Sequence, residues 1–461
     1  MSQRLHFIAI GGAAMHNLAL ALQRNGHRIS GSDDEIQEPS LSRLKEAGLL
    51  PLQEGWYPEK ISSDIDGVIL GMHARADNPE LIRAQELKIP VYSFPEYLYE
   101  HSRNKKRIVI GGSHGKTTIT SMILHVLQAQ KFDFDYMVGA KLEGFETMVR
   151  LSNAPLIVLE GDEYLASPVD RRPKFHLFQA SIGLISGIAW DHINVFPEYE
   201  NYAEQFRIFA DNLPADGRLI FCENDSEVVR IVGKSNTKAK QFPYGLPRFE
   251  IQNGKTYVFL NNLRFPLSVF GEHNLMNLEG ARLVCEALGI DSETFYSSVG
   301  NFKGASRRLE MLADNGQIAI FRDFAHSPSK LEATLKAVRN QYPGRRLFAI
   351  MELHTFSSLN ENFLEQYAGT MDAADVAYVY FNPLTIEHKN LKPISGEMVR
   401  EAFANKNVEV MTDSHQLKEA IIKQVSANSV VLFMSSGSFD RMDMDEIIRK
   451  LNGNRSMAGS V

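Results

Sequence analysis

The sequence predicts an α/β protein of three successive units, each alternating strands with helices. Three observations carry this expectation. Short apolar runs rich in Val and Ile recur along the chain, each is followed by a stretch with helical apolar spacing, and glycine or Asn-Pro and Ser-Pro steps punctuate the junctions. The length of 461 residues allows about three domains, each with its own core.

The first unit opens with a strand over residues 5–10 that runs into Gly11-Gly12. A helical pattern through Leu18, Ala19 and Leu22 stops at Gly26, and a second strand ends at Gly31-Ser32-Asp33. Asp33 follows the glycines by about twenty residues, the spacing at which a nucleotide-binding βαβ unit presents an acid to a ribose. Residues 67–72 and 89–93 read as further strands, and between them Asn78 caps a helix with Pro79 at its first position. The basic, polar segment 101–106 reads as a hinge.

The second unit begins with a strand at residues 107–110, then Gly111-Gly112-Ser113-His114-Gly115-Lys116-Thr117-Thr118, then a helix over 118–130. Glycines let backbone N–H groups approach phosphate oxygens, and a helix N-terminus favours negative charge. Lys116 adds a mobile cation, and the Thr117 hydroxyl is a ligand for Mg²⁺. The loop predicts binding of ATP or GTP, although the first glycine of the strict phosphate-loop pattern falls on Ile110. Strands at 156–159 and 182–189 end in Glu160-Gly161-Asp162-Glu163 and Trp190-Asp191-His192. Ligands of open α/β sheets sit beyond the carboxyl ends of strands, so both groups are expected near Lys116. A helix from about Asn274 to Leu288 ends before Gly289.

The third unit starts near Gly304, with strands expected at 317–323, 347–351, 376–380 and 430–434. The net charge of −7 is spread along the chain and argues against nucleic acid as a partner. Cys222 and Cys285 lie in apolar surroundings and are too few for a disulfide framework, which fits a reducing compartment. No stretch approaches a membrane span, and Gly11-Gly12 break the apolar run that a signal peptide needs. The expectation is a cytoplasmic protein with no membrane partner, a monomer or weak homodimer.

Further constellations bear chemistry. Glu160 can reach a Mg²⁺ held by Thr117, and His192 can complete a second metal position, although each residue alone also reads as an ordinary loop side chain. In Gly271-Glu272-His273-Asn274-Leu275-Met276-Asn277, an Asn amide can read an adenine edge and His273 can pack on its face. Asn274 alone equally reads as a helix cap. Arg307-Arg308 precedes the third unit, where an Arg can clamp a γ-phosphate or simply form a salt bridge. Asp323-Phe324-Ala325-His326-Ser327-Pro328 ends a strand and starts a helix. Asp323 is placed for a ribose hydroxyl, and His326 for a substrate.

Taken together, these residues resemble the Mur ligases, the ATP-dependent amide-forming family of bacterial cell-wall synthesis. The family shows a Gly-Thr-x-Gly-Lys-Thr/Ser loop, a Glu-Ala-Asp-Glu-like strand end, an Asp-His pair and a His-Asn-x-x-Asn helix start. An Arg before the third domain and an Asp-Tyr/Phe-Ala-His-x-Pro turn complete the set. Here the corresponding stretches run in the same order from Gly112 to Pro328.

The resemblance implies a three-domain architecture. Residues 1–104 would form a Rossmann-like domain for a UDP-sugar, 105–303 a phosphate-loop domain for ATP, and 304–461 a Rossmann-like domain for the incoming amine. Gly112, Ser113, His114, Gly115, Lys116, Thr117 and Thr118 would cradle ATP, with Lys116 on the β/γ-phosphates. Thr117 and Glu160 would hold one Mg²⁺ and His192 a second. His273, Asn274 and Asn277 would face adenine or the metal region, Arg308 the γ-phosphate, and Asp323 the ribose. His326 is a candidate base. Gly11, Gly12, Ala13, Ala14, Met15, Asp33, His73 and Asn78 would contact UDP-N-acetylmuramate.

Some members of the family carry a carbamylated lysine after the Asp-His pair. Here that helix reads Ala203-Glu204-Gln205-Phe206-Arg207, and arginine cannot form the carbamate. The chain therefore resembles the branch that acts on UDP-N-acetylmuramate itself. The stretch from Asp162 to Phe175 and Arg307-Arg308-Leu309-Glu310 favour the ligase that attaches the recycled tripeptide L-Ala-γ-D-Glu-meso-diaminopimelate. The alternative is the ligase that adds L-alanine; its His-Arg-Tyr-Thr-Arg-like run is replaced here by His354-Thr355-Phe356-Ser357-Ser358. A nucleotide-binding switch without ligase activity is a more distant alternative.

Overall fold

The computed structural model describes residues 2–190, 195–252, 254–305 and 308–453. The chain forms two compact units, Met1–Pro247 with Met276–Val299, and Arg248–Leu275 with Gly300–Val461.

The first unit carries two sheets. One contains β1 (Arg4–Ile8), β2 (Arg28–Ser32), β3 (Gly67–Leu70) and β4 (Val91–Ser93), in the parallel order β2-β1-β3-β4. The chain order reverses at β1/β3, and a crevice opens at such a switch point beyond the strand ends. The Gly11-Gly12 turn leaves β1 there, and the loop bearing His73 leaves β3.

The other sheet contains β5 (Lys106–Gly111), β6 (Asp135–Met137), β7 (Val149–Arg150), β8 (Leu156–Glu160), β9 (Ile182–Ile185), β10 (Arg218–Cys222) and β11 (Lys240–Tyr244). Its order is β11-β10-β9-β5-β8-β6-β7, parallel except for the antiparallel edge strand β7. Ile108, Val109 and Ile110 of β5 are completely buried, as a central parallel strand requires. β5 lies between β9 and β8, so its loop opens between the ends of both neighbours.

The second unit has a small antiparallel sheet of β12 (Phe249–Gln252), β13 (Lys255–Leu260) and β14 (Leu263–Leu267). Its larger sheet contains β15 (Glu310–Asp314), β16 (Ile318–Asp323), β17 (Arg346–Glu352), β18 (Val376–Tyr380), β19 (Val408–Met411) and β20 (Ser429–Met434). The order is β15-β16-β20-β17-β18-β19, parallel except for β15. Ala319 and Phe321 pack on one face with Leu335 and Val338 of the helix Pro328–Gln341. Ile318 and Ile320 pack on the other face with Leu417, Ile421 and Ile447. This period-two division, with helices on both faces, is the doubly wound arrangement. The Gln341 side chain ties the small sheet to its helix, donating to the Gly254 carbonyl at 2.6 Å and accepting from the Thr256 hydroxyl at 3.0 Å.

The α/β class and every strand expected from the sequence are present, with shifted ends. β1 stops at Ile8 because Ala9 turns left-handed (φ 66°) and the Ala9 and Ile10 amides both donate to the Ser32 carbonyl. β9 stops at Ile185, and Ser186 turns its hydroxyl back onto the Gly111 carbonyl at 3.2 Å. The segment 101–106 is pinned: the Lys105 ammonium contacts Asp135 and the Ser152 carbonyl, and the Arg107 guanidinium donates to the Ser102, Arg103 and Gln179 carbonyls. Among the described residues no helix is long and apolar enough to cross a membrane.

Candidate active site

The glycine-rich loop between β5 and the helix Lys116–Ala129 is shaped by two residues with positive φ, Gly112 at 129° and Gly115 at 81°. A Cβ on Gly112 would lie 2.1 Å from Ser186 Oγ, and one on Gly115 would lie 2.4 Å from Asn277 Oδ1. Only glycine tolerates both the backbone angle and the approach.

Lys116 emerges at the helix start. Its Nζ donates to the Gly112 carbonyl at 2.7 Å and to Glu163 Oε2 at 2.6 Å. Burial on its own pulls the ammonium pKa down, but the carboxylates of Glu163, Asp162 and Glu160 outweigh it and the net direction is upward. The lysine is therefore a permanent cation, suited to phosphate oxygens. The Thr117 hydroxyl donates to Glu160 Oε1 at 2.8 Å, and the Gly139 amide donates to Glu160 Oε2 at 2.7 Å. A hydroxyl beside a fixed carboxylate fits Mg²⁺, which takes few protein ligands and keeps waters and phosphate oxygens. No group of three or more His, Cys, Asp or Glu among the described residues forms a metal cage of its own. His192 and Arg307 lie outside the described residues.

Ser113, Glu163 and Tyr202 are linked behind the loop. Ser113 Oγ is 2.6 Å from Tyr202 OH, which donates to Glu163 Oε1 at 2.9 Å. His114 lies across Gly187, whose Cβ position falls 2.1 Å from the ring. Thr118 is buried in the first turn of the helix. Arg207, on the helix that follows the Asp191-His192 pair, spends its guanidinium on Glu204 and Asp211 of its own helix.

The helix Glu272–Ala287 starts two residues before Asn274, so Asn274 is not its cap; its amide donates back to the Phe270 carbonyl at 2.9 Å. Asn277 belongs to the first unit and covers Gly115. In the second unit, burial lowers the His273 pKa while Asp323 and Glu272 pull it the other way. Asp323 ends β16, buried, and accepts from the Thr334 hydroxyl at 2.7 Å. Arg308 stacks its guanidinium over Phe324 at 4.8 Å. His326 keeps Nδ1 2.8 Å from the Phe324 carbonyl.

At the β1/β3 crevice, Asp33 accepts from the Gly11 amide at 2.6 Å and the Asp34 amide at 3.0 Å. Burial raises its pKa to about 6, against the opposing Gly11 N–H. Gly12 precedes the helix Ala13–Arg24; Ala13 and Ala14 are exposed and Met15 is buried. His73 is exposed on the loop after β3. Asn78 spends its side-chain oxygen on the Glu80 and Leu81 amides as a helix cap.

Sequence reasoning left Ser186, Tyr202 and Glu352 unassigned. Glu352 ends β17, as Glu160 ends β8, and that shared position was the available signal. It is buried, accepts from the Phe439 amide at 2.8 Å and contacts the Ser435 hydroxyl, with His354 Nδ1 3.8 Å away.

Comparison with known proteins agrees along the length of the chain. Residues 4–106 match the catalytic domain of the Mur ligase family, 110–285 the Mur ligase middle domain, and 307–437 the Mur ligase glutamate ligase domain. A UDP-N-acetylmuramate–L-alanine ligase of Sulfurihydrogenibium is 30% identical over 95% of this chain and 96% of the relative. In fold, the chain resembles the Thermotoga maritima UDP-N-acetylmuramate-alanine ligase (TM-score 0.72, 22% identity, 98% and 99% covered). It also resembles a murein peptide ligase from Psychrobacter arcticus (TM-score 0.67, 22% identity, 98% and 99% covered). With its phosphate loop, acidic strand end and three matched segments, the chain belongs to the Mur ligase family of ATP-dependent ligases that form amide bonds.

Proposed function

We propose that this ligase joins the lactoyl carboxylate of UDP-N-acetylmuramate to the amine of L-Ala-γ-D-Glu-meso-diaminopimelate, as in murein recycling. In this reading residues 1–104 bind the UDP-sugar, 105–303 bind ATP, and 304–461 receive the amine. The observation that carries the activation chemistry is the pairing of Lys116 and Thr117, where the phosphate loop enters its helix, with Glu163 just beyond β8 and Glu160 at its end.

A carboxylate resists attack by an amine because its oxygen is a poor leaving group. It therefore attacks the γ-phosphorus of ATP: a new carboxyl O–P bond forms, the bond to ADP breaks, and an acyl phosphate results. The amine nitrogen then attacks the acyl carbon, the C–O bond to phosphate breaks, and the nitrogen gives up its proton. Lys116 offsets the repulsion between carboxylate and phosphate, and Arg308 is the second cation assigned to the γ-phosphate. Glu160 and Thr117 would hold Mg²⁺, whose charge supplies the same stabilisation when bound. His192 is proposed for a second Mg²⁺. Asn277, Asn274 and His273 are proposed for the adenine side, and Asp323 for the ribose. His326, whose Nδ1 lies by the Phe324 carbonyl, is proposed as the base. Gly11, Gly12, Asp33 and His73 are proposed for UDP. A cytoplasmic location, where ATP is supplied, and a monomeric or weakly dimeric state are proposed with it.

What supports a peptide rather than a single amino acid is the loop after β17. Phe356 is 60% exposed there, with the Lys389 ammonium 4.3 Å over its ring. An apolar ledge with a cation suits a long substrate rich in carboxylates. L-Alanine is the second reading, favoured by the relatives that match 95% of the chain and are named L-alanine ligases. The test offers both amines in competition with UDP-N-acetylmuramate, ATP and Mg²⁺, and weighs the uridine-bearing product. The tripeptide adduct as main product is expected; an alanine adduct alone would install the second reading.

A further inference from the structure

Tyr202 lies on the helix Tyr199–Asp211, and its ring is completely buried against Phe196 and Phe206, with centroids 5.5 and 5.4 Å away. Its position in the sequence reads as core. Yet its hydroxyl reaches two polar groups of the nucleotide site. The directions of the hydrogen bonds follow from what each group can donate. Ala189 N–H donates to Ser113 Oγ at 2.9 Å. The Tyr202 hydroxyl donates to the Glu163 carboxylate, so the Ser113 hydroxyl must donate to Tyr202 at 2.6 Å. A chain of donors aligned in one direction, ending on a buried carboxylate, polarises along its length.

Glu163 is completely buried and holds Lys116 through its other oxygen. When a phosphate takes over the lysine, that carboxylate loses the Lys116 ammonium while still buried. The cost of this loss depends on what else donates to it. The Tyr202 bond is therefore worth more in the nucleotide-bound state than in the free one.

We propose that Tyr202 is a positioning residue for nucleotide binding, its hydroxyl coupling Ser113 of the phosphate loop to Glu163 and stabilising that carboxylate as Lys116 moves onto phosphate. This rests on the reading of the Lys116 loop as the ATP site. No property of the amine or the sugar enters it.

The test measures ATP affinity by calorimetry on the full chain, without sugar or amine, for wild type, Lys116→Ala, Tyr202→Phe, Ser113→Ala and the double variant Tyr202→Phe/Ser113→Ala. Tyr202→Phe keeps the packed ring and removes only the hydroxyl. It is expected to weaken ATP about tenfold, the worth of one hydrogen bond to a charged group. The double variant should lose no more than the larger single loss, because both groups act through one chain. In turnover assays the KM for ATP should rise while the KM for UDP-N-acetylmuramate stays put, a split that a general loss of stability would not produce. Wild-type affinity in Tyr202→Phe, or additive losses in the double variant, would overturn the proposal. If Tyr202→Phe fails to fold, Ser113→Ala alone decides, with unchanged ATP affinity overturning it. Failure of wild type to bind ATP, or equal binding by Lys116→Ala, would instead remove the site reading beneath it.

Discussion

Asn277 Oδ1 sits directly above Gly115, 2.4 Å from where a Cβ would stand, so the start of one helix is closed over by the side chain of another. With φ at 81°, Gly115 faces a backbone and a packing restriction together. Gly115→Ala should cost about 1–2 kcal/mol in backbone strain and push Asn277 or the loop aside. A displacement of that kind lowers turnover about a hundredfold. Amide formation and thermal unfolding of the variant provide the check, and near-normal turnover would show that the loop geometry is not needed.

Glu160 is held at both oxygens, by Thr117 and by the Gly139 amide. Glu160→Ala should raise the Mg²⁺ concentration needed for half-maximal turnover by about ten- to a hundredfold. A Mg²⁺ titration superimposable on that of wild type would strip Glu160 of this role.

Asp33 gives a prediction with a definite sign. Its folded pKa, raised to about 6, lies above that of the unfolded chain, so the folded state binds the proton more tightly. Stability should therefore decline as pH rises from about 4 to 6 and level off beyond, the reverse of a salt-bridged carboxylate. Asp33→Asn should flatten that slope and weaken the UDP-sugar. Melting curves across this range, together with the sugar KM, provide the check.

Much of the loop was legible in the sequence because its signals are local. Ile108-Val109-Ile110 announce a buried strand, the glycines and Lys116 follow at once, and Glu160 ends its own apolar run. The partners of those groups were not legible. Ser113 meets Tyr202 across 89 residues, and the Tyr202 neighbourhood of Phe206 and Phe209 reads as ordinary core. The small sheet of β12, β13 and β14 escaped notice because β12 is largely exposed, so no buried alternation marks it.

Glu80 and His6 form a fully buried pair, with His6 Nε2 3.1 Å from Glu80 Oε2. Burial pushes the Glu80 pKa up, but His6, Ser32 and the Tyr57 amide outweigh it and the net direction is downward. The carboxylate thus contributes stability above its unfolded pKa, which is lost as pH falls through the lower folded value. Glu80→Ala should cost about 1–3 kcal/mol by leaving the buried His6 Nε2 and the Tyr57 amide without the carboxylate they meet. Denaturant titration reads this directly, and a loss below about 1 kcal/mol would show the pair to be dispensable.

The most direct measurement of the central chemistry follows the oxygen atoms. UDP-N-acetylmuramate labelled with ¹⁸O in its lactoyl carboxylate is turned over with ATP and the accepted amine, and the released phosphate is weighed. Activation through an acyl phosphate predicts one labelled oxygen in that phosphate. Phosphate free of label, with amide formed, would contradict it.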